Sequence, residues 1–341
     1  MLAAVQLATP WRVTREHRKR PPVRALRLFP ALAMLLATAS VPFAAHDPHA
    51  PIRAWPVLLD LDRPALRTLG QLRFVRGWAL ASANASFGGI SGLVAWRGRL
   101  MAVSDTGTAI SFRLHDGQIV SPWIRPLPGL ARRARKKYRD TESLTIDPAT
   151  GRLWVATETN NEVWRFAADF ARAEAVARPP AMHDWPDNGG AESMTRLPDG
   201  RFVVVAEHRE GRRPRTAELL VFPGDPTAGV RPIRLDYRRP RGCVPSDAAA
   251  LPDGRLLVLN RCFTLRHGFS AVLERVDLNQ GRRSDLLVGE EIARFARPIT
   301  LDNLEAVAVE AVPGGARLWI ASDDNFSIAQ RTLLLEFILP D

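Results

Sequence analysis

Carboxylates recur in this sequence where apolar runs begin or end. In DTESLTIDPATGRLWVATETN, residues 140–160, Glu142 opens one run and Glu158 closes the next. The same plan returns in SGLVAWRGRLMAVSD (Ser91 to Asp105), ESMTRLPDGRFVVVAE (Glu192 to Glu207), DAAALPDGRLLVLN (Asp247 to Asn260) and EAVAVEAVPGGARLWIASD (Glu305 to Asp323). Acidic groups brought together repel one another unless they are protonated, paired with bases or neutralised by cations. A hard divalent cation suits an all-oxygen donor set. Ca²⁺, which takes about six to eight oxygens in irregular cages, is the first choice and Mg²⁺ the next. The candidate ligands are Asp105, Glu142, Glu158, Glu192, Glu207, Asp247, Glu305, Asp323 and Asp324, and Arg209 and Arg261 lie close enough in sequence to pair with some of them. Acidic residues at strand ends also cap turns or stay solvated, and duplication copies them without function. Chemistry therefore requires that these groups converge.

The elements between them predict that convergence. Alternating runs such as LTID and RLWVAT, separated by Pro-Asp-Gly or Pro-x-x-Gly, read as β-hairpins. Residues whose numbers average to the centre of a hairpin turn lie side by side. Glu142 and Glu158 centre on residue 150 in PATG, while Glu192/Glu207 and Asp247/Asn260 centre on PDG turns. Ser91/Asp105 and Glu305/Asp323 centre on Gly98 and Gly314. Each pair thus falls at the end opposite its turn. The turn arginines Arg99, Arg152, Arg201 and Arg255 are 53, 49 and 54 residues apart, a period in the range of β-propeller blades. Further strands, EVWRFAA, ELLVFPG and AVLERVDL, complete four-stranded blades. VGEEIARF, residues 288–295, reads as a short helix. The expected fold is all-β, a single β-propeller of six four-stranded blades, with five or seven as alternatives. The sixth blade would form from LRFVRGWAL and LLLEFIL, which removes exposed edges.

The 341 residues are 46% hydrophobic and 24% charged, ordinary for a globular chain that buries a sizeable core. Seven basic residues between Arg12 and Arg27, the apolar run LFPALAMLLA and the small residues Ala37 to Ala39 have the order of an export signal. That run falls short of the roughly 20 residues of a membrane span. Residues 1–45 are expected to be a signal peptide and leader, residues 46–341 the propeller, and the protein periplasmic or secreted, with membrane contact only through the export signal. Cleavage after residue 39 would lower the net charge from +11 to about +5. RRARKKYR, Arg132 to Arg139, is either a solvated loop or a phosphate-attracting rim. No basic stripe interleaved with aromatics appears elsewhere, which argues against nucleic-acid binding. Cys243 and Cys262 can pair in an exported chain, and their spacing gives no zinc site.

TESLTIDPATGRLWVATE, GAESM, SDAAALPDGRLLVLNRCF, DNLEAVAV and IASDDNFSIAQRTLLLEF together resemble the esterase-like, phytase-like β-propeller family of exported bacterial proteins, over nearly all of residues 85–341. The resemblance implies an acidic active face and a phosphoester-hydrolase activity; a small phosphorylated or ester substrate and a monomer are expected beside it. In that reading Glu142, Glu192, Glu305 and Asp323 are the catalytic candidates, and Arg209, Arg261 and Arg331 bind phosphate. One departure is LNRCF, Leu259 to Phe263, where the family pattern reads Leu-Glu-Arg-Ser-Phe; Asn260 keeps an oxygen and loses the charge. Two rivals stand beside this reading. GGISGL, Gly88 to Leu93, superficially resembles a nucleophile elbow with Ser91 as nucleophile and His208 as base, although Leu93 departs from the pattern. The other rival is a non-catalytic propeller whose acidic mouth holds an ion or a cationic ligand.

Overall fold

Gly-containing turns and apolar runs fold this chain into five antiparallel hairpins, each extended outward by further strands. The computed structural model describes residues 46–133, 135–282 and 284–341; the leader expected over residues 1–45 lies outside them. Blade 1 comprises Ile90–Trp96, Arg99–Ser104, Thr108–His115 and Gln118–Pro126, and blade 2 comprises Thr141–Ile146, Leu153–Thr157, Glu162–Phe166 and Ala173–Ala177. Blade 3 holds Ser193–Arg196, Phe202–Glu210, Thr216–Phe222 and Ile233–Arg238, with Leu286–Val288 added in parallel at its edge. Blade 4 holds Cys243–Ala250, Leu256–Thr264, Gly268–Val276 and Glu290–Phe295. In blade 5 the hairpin Asn303–Val312 and Gly315–Asp323 is followed by Thr332–Pro340, then by Leu72–Ser82 and Ile52–Val57 from the other end of the chain.

The propeller therefore has five blades and not six. The segments expected to make a sixth do pair with each other, Leu334 facing Trp78 and Leu335 facing Gly77. They are the third and fourth strands of the last hairpin's blade. The chain length that pointed to six is taken up by the extra strands on blades 3 and 5 and by the loops between blades. VGEEIARF is not helical either. Glu290–Phe295 is the outer strand of blade 4, with Phe295 and Ala293 facing Ala271 and Leu273. Among the described residues the helical elements are short 3-10 turns, and no helix is long and apolar enough to cross a membrane.

Side chains alternate along a strand, and here both faces of each blade are covered by neighbouring blades. Met101 and Val103 pack toward Leu144 and Val155 of blade 2, whereas Leu100 and Ala102 pack toward Ala306 and Trp319 of blade 5. Five such apolar layers fill the spaces between adjacent blades. At the closure Phe337 meets Phe74 at 5.4 Å and Phe295 at 5.7 Å between ring centroids. Cys243 and Cys262 face each other on neighbouring strands and are joined by a disulfide, as the spacing allowed.

Candidate functional site

Every hairpin turn lies on one side of the ring, so the acidic ends lie together on the other. A local irregularity repeats there. The innermost strand shifts register by one residue at Ser91, Glu142, Ser246 and Glu305, and Glu192 stands at the same place just before Ser193–Arg196. A β-bulge re-aims one side chain without breaking the sheet, and here it presents one residue per blade to the mouth. The second strand of each hairpin supplies another, six residues after the turn arginine: Asp105, Glu158, Glu207, Arg261 and Asp323.

The bulges change the expected pairings. Glu158 donates its backbone N–H to the Asp140 carbonyl at 3.1 Å, so its direct neighbour is Asp140 and not Glu142. Asp140 thus joins the site, with a carboxylate oxygen within 4.8 Å of oxygens from Glu142 and Glu158. In blade 4, Arg261 takes the position of Asp105 and Glu158, and Asn260 faces the opposite way. A single residue of register inverts a side chain. Asn260 is fully buried, bonded to the Tyr237 hydroxyl and to the Val258 and Val272 carbonyls. Asp247, also fully buried, accepts from the Ala248 and Val307 backbone N–H groups and so ties blade 4 to blade 5. The mouth therefore gathers Asp105, Asp140, Glu142, Glu158, Glu192, Glu207, Glu305 and Asp323, with Asp247 and Asn260 turned away.

Two cationic bases, Arg261 and Lys136, enter this ring, and one imidazole, His208, borders it. Arg261 pairs with Glu207 at 2.5 Å and with Glu305 at 3.1 Å, and His208 also lies against Glu207. Lys136, from the basic run RRARKKYR, pairs with Asp105 at 3.0 Å. Neither Arg209 nor Arg331 reaches the ring. Arg209 donates to the Asp184 carbonyl near Glu218, and Arg331 to the Leu301 carbonyl near Asp302. Asp324 accepts from Gly89 N, Phe326 N and the Thr332 hydroxyl, which fixes the loop after Asp323. Gly88 permits this approach: its φ is +125°, and a Cβ there would stand 2.7 Å from Asp324 Oδ1.

With two bases against eight acids, the carboxyls hold on to protons. Burial, then Asp105 and Glu158, push the Asp140 carboxyl up to about 7. Burial and Glu305 push Asp323 up to about 8. Glu142 and Glu192 are raised by burial and by the carboxylates beside them. Asp140 and Glu142 stand with carboxylate oxygens within 4.8 Å of each other, an approach eased when one member holds a proton. Burial works against the charge on Arg261, yet Glu305 and Glu207 hold its guanidinium above its ordinary value.

This donor set fits a hard cation. All its ligand atoms are oxygens, three carboxylates already converge, and Asp105 Oδ1 is buried without a hydrogen-bond partner among the described residues. It does not fit a serine hydrolase. Ser91 is buried within a strand and donates its hydroxyl to the Gly89 carbonyl at 3.2 Å, with no strand-to-helix turn behind it. His208 is bound to Glu207 instead.

Known proteins resemble this chain to differing depths. No curated protein matches it. Among solved structures, Myxococcus xanthus glutaminyl cyclase is 13% identical with a TM-score of 0.44, over 79% of this chain and 97% of its own. The Malassezia sympodialis allergen Mala s 1 is 13% identical with a TM-score of 0.42, over 85% and 96%. Kuenenia stuttgartiensis hydrazine synthase is 9% identical with a TM-score of 0.36 over 70% of this chain, which spans 57% of that chain's length. Likenesses this distant bear on no activity. The model of the phytase-like family, described as esterase-like activity of phytase, matches residues 85–326 and takes in every acidic residue of the mouth. The chain therefore belongs to that phytase-like family.

Proposed function

We propose that the protein is an exported, divalent-cation-dependent phosphoesterase whose active site is the acidic mouth of the propeller. The observation that carries this reading is the convergence of Asp140, Glu142 and Glu158 within 4.8 Å, in a ring whose two bases leave most carboxylates unpaired. These three residues would hold the cation, with Ca²⁺ favoured and Glu192 and Asp105 beside them. A bound divalent cation supplies neutralising charge for a phosphoryl group and makes water easier to deprotonate. Lys136, exposed on its loop and ion-paired to Asp105, can turn its ammonium to a phosphate oxygen. Arg261 is held in place by Glu207 and Glu305 and presents a fixed positive charge to the same space. Asp323, raised to about 8, exchanges a proton near neutral pH and is the favoured general acid–base group. Glu305, Asp105 and Asp324 set its electrostatic surroundings.

The test is release of phosphate from a panel of mono- and diesters, with Ca²⁺, with Mg²⁺ and with a chelator. Turnover is expected with Ca²⁺, and its loss in chelator and in the Glu142→Gln, Glu192→Gln double variant. Calorimetric Ca²⁺ binding by a wild type that turns over nothing on the panel would instead identify a binding propeller. We also infer export from the basic, apolar and small-residue order of residues 12–39. Mass spectrometry of the secreted or periplasmic protein should find an N-terminus near residue 40.

A further inference from the structure

Singly exposed apolar residues need no explanation on a protein surface. Two groups on the mouth face differ because the structure builds supports for them. In blade 4 the strands Leu256–Thr264 and Gly268–Val276 outrun their neighbours, whose last pairings are Cys243 with Cys262 and Phe295 with Ala271. Beyond these, Phe263 faces Phe269 and Thr264 faces Gly268, each paired only with the other. Such a two-stranded ribbon is marginal alone. The disulfide closes its base, and Phe263 packs on Phe269 at 5.1 Å. What this stapled post presents is apolar, with Leu265 98% and Phe263 54% exposed.

The second group lies on the adjoining blade 5, in the loop between Asp323 and Thr332. Phe326 is 40% and Ile328 103% exposed. Asp324 ties this loop down, and Phe326 sits at φ +50°, a region that bulky side chains rarely adopt. The Phe326 ring rests against Gly89 with its remaining surface open. Basic residues surround both groups. Arg266 adjoins Leu265, Lys136 lies 6.0 Å from the Phe326 ring, and Arg135, Lys137, Arg241 and Arg297 are exposed on mouth-face loops. Apart from Lys136, none of these makes an ion pair among the described residues.

We propose that the mouth face docks on an anionic lipid surface, with Phe263, Leu265 and Ile328 inserted among the acyl chains, Phe326 at headgroup level and the surrounding bases on the headgroups. A leaflet offers an apolar layer beneath an anionic one and demands no matching shape, which suits apolar tips on separate posts within a basic field. The acidic ring comes nearest this contact at blade 5, where Asp105 and the Phe326 ring both meet Gly89 and Lys136 pairs with Asp105; at blade 4 it stands back, Leu265 lying four residues beyond Arg261, about 13 Å of extended strand. The docking is independent of turnover and is read without it.

The experiment is flotation of residues 40–341 with phosphatidylglycerol–phosphatidylcholine vesicles and with phosphatidylcholine vesicles, in chelator, at low and high salt. Binding is expected to the anionic vesicles alone, to weaken with salt, and to fall at least about tenfold in a Leu265→Glu, Ile328→Glu variant whose thermal unfolding matches the wild type. The proposal is overturned if the wild type ignores anionic vesicles, binds both kinds equally, or binds as well when substituted. A concentration-dependent dimer that the variant abolishes would also overturn it and assign the tips to self-association.

Discussion

Raising the pH without divalent cations should weaken the fold, and the acidic ring sets by how much. Asp323 is pushed up to about 8 and Asp140 to about 7, by burial first and then by neighbouring carboxylates. An aspartate in the unfolded chain titrates near about 3.9. Between these values the folded chain holds protons that the unfolded chain releases. The associated stability is complete below about pH 4 and is lost as the pH climbs through 7 and 8. At about 1.36 kcal/mol per unit, Asp323 alone sets a ceiling of roughly 5.5 kcal/mol. The carboxyls titrate as one coupled cluster, so their shares do not add. Water reaching the mouth raises the effective dielectric and brings the expected loss to about 2–3 kcal/mol. Against a total of roughly 5–15 kcal/mol for a typical domain, that is readily measured.

Urea denaturation in chelator at pH 5, 7 and 9 reads the loss directly from the midpoint and slope. Carboxyls that arginines hold low against the effect of burial, such as Asp225 beside Arg165, act in a more acidic range; Asp247 and Glu274, raised by burial outside the ring, act in the same direction as it, so the Asp323→Asn comparison reads the ring's own share. Ca²⁺ at a hundred times its dissociation constant should restore about 2.7 kcal/mol at pH 9, and Asp323→Asn should flatten the profile. A midpoint that stays level or rises from pH 5 to pH 9 in chelator would refute the reasoning, because the ring carboxyls would then already be ionised and compensated.

Three further outcomes follow from individual contacts. Lys136→Met frees Asp105 of its ion pair and should tighten Ca²⁺ binding severalfold in calorimetry while leaving thermal unfolding within about 0.5 kcal/mol, as for most surface changes. Arg261→Met leaves Glu207 and Glu305 without their shared partner; in chelator it should cost about 2–3 kcal/mol, less than the full penalty for breaking a buried pair because the site is partly wet, with Ca²⁺ recovering more stability than in the wild type. Replacing both Cys243 and Cys262 with Ser opens a link across 19 residues and should lower unfolding free energy by about 3 kcal/mol in the chain-entropy account, visible as a lower denaturation midpoint.

The hairpins, their period and the polar face opposite their turns were legible because each depends on a few adjacent residues: a Gly at the turn and alternation on either side. Much of the ring was legible, since Asp105, Glu142, Glu158, Glu192, Glu207, Glu305 and Asp323 all border the hairpin patterns. Averaging residue numbers about the turn assumes an unbroken register, and for that reason it favoured Asn260 and Asp247 and passed over Asp140, although Asp140 stands two residues before Glu142. The blade number was not local. It depends on whether Leu72–Ser82 and Thr332–Pro340 make their own blade or extend the last hairpin, a pairing between segments some 260 residues apart, as in Arg76 with Glu336.

By itself, then, the sequence determined an all-β repeat with one polar, mostly acidic residue set per hairpin, because turn chemistry and two-residue alternation are written in neighbouring positions. Only the tertiary structure decided that five blades close the ring, that bulges aim Glu142 and Glu305 into it and bring Asp140 beside Glu158, and that Lys136 and Arg261 counter part of its charge. Those outcomes depend on register shifts of one residue and on contacts between distant segments, where the balance of packing and electrostatics over the whole propeller chooses among arrangements that local pattern leaves equivalent.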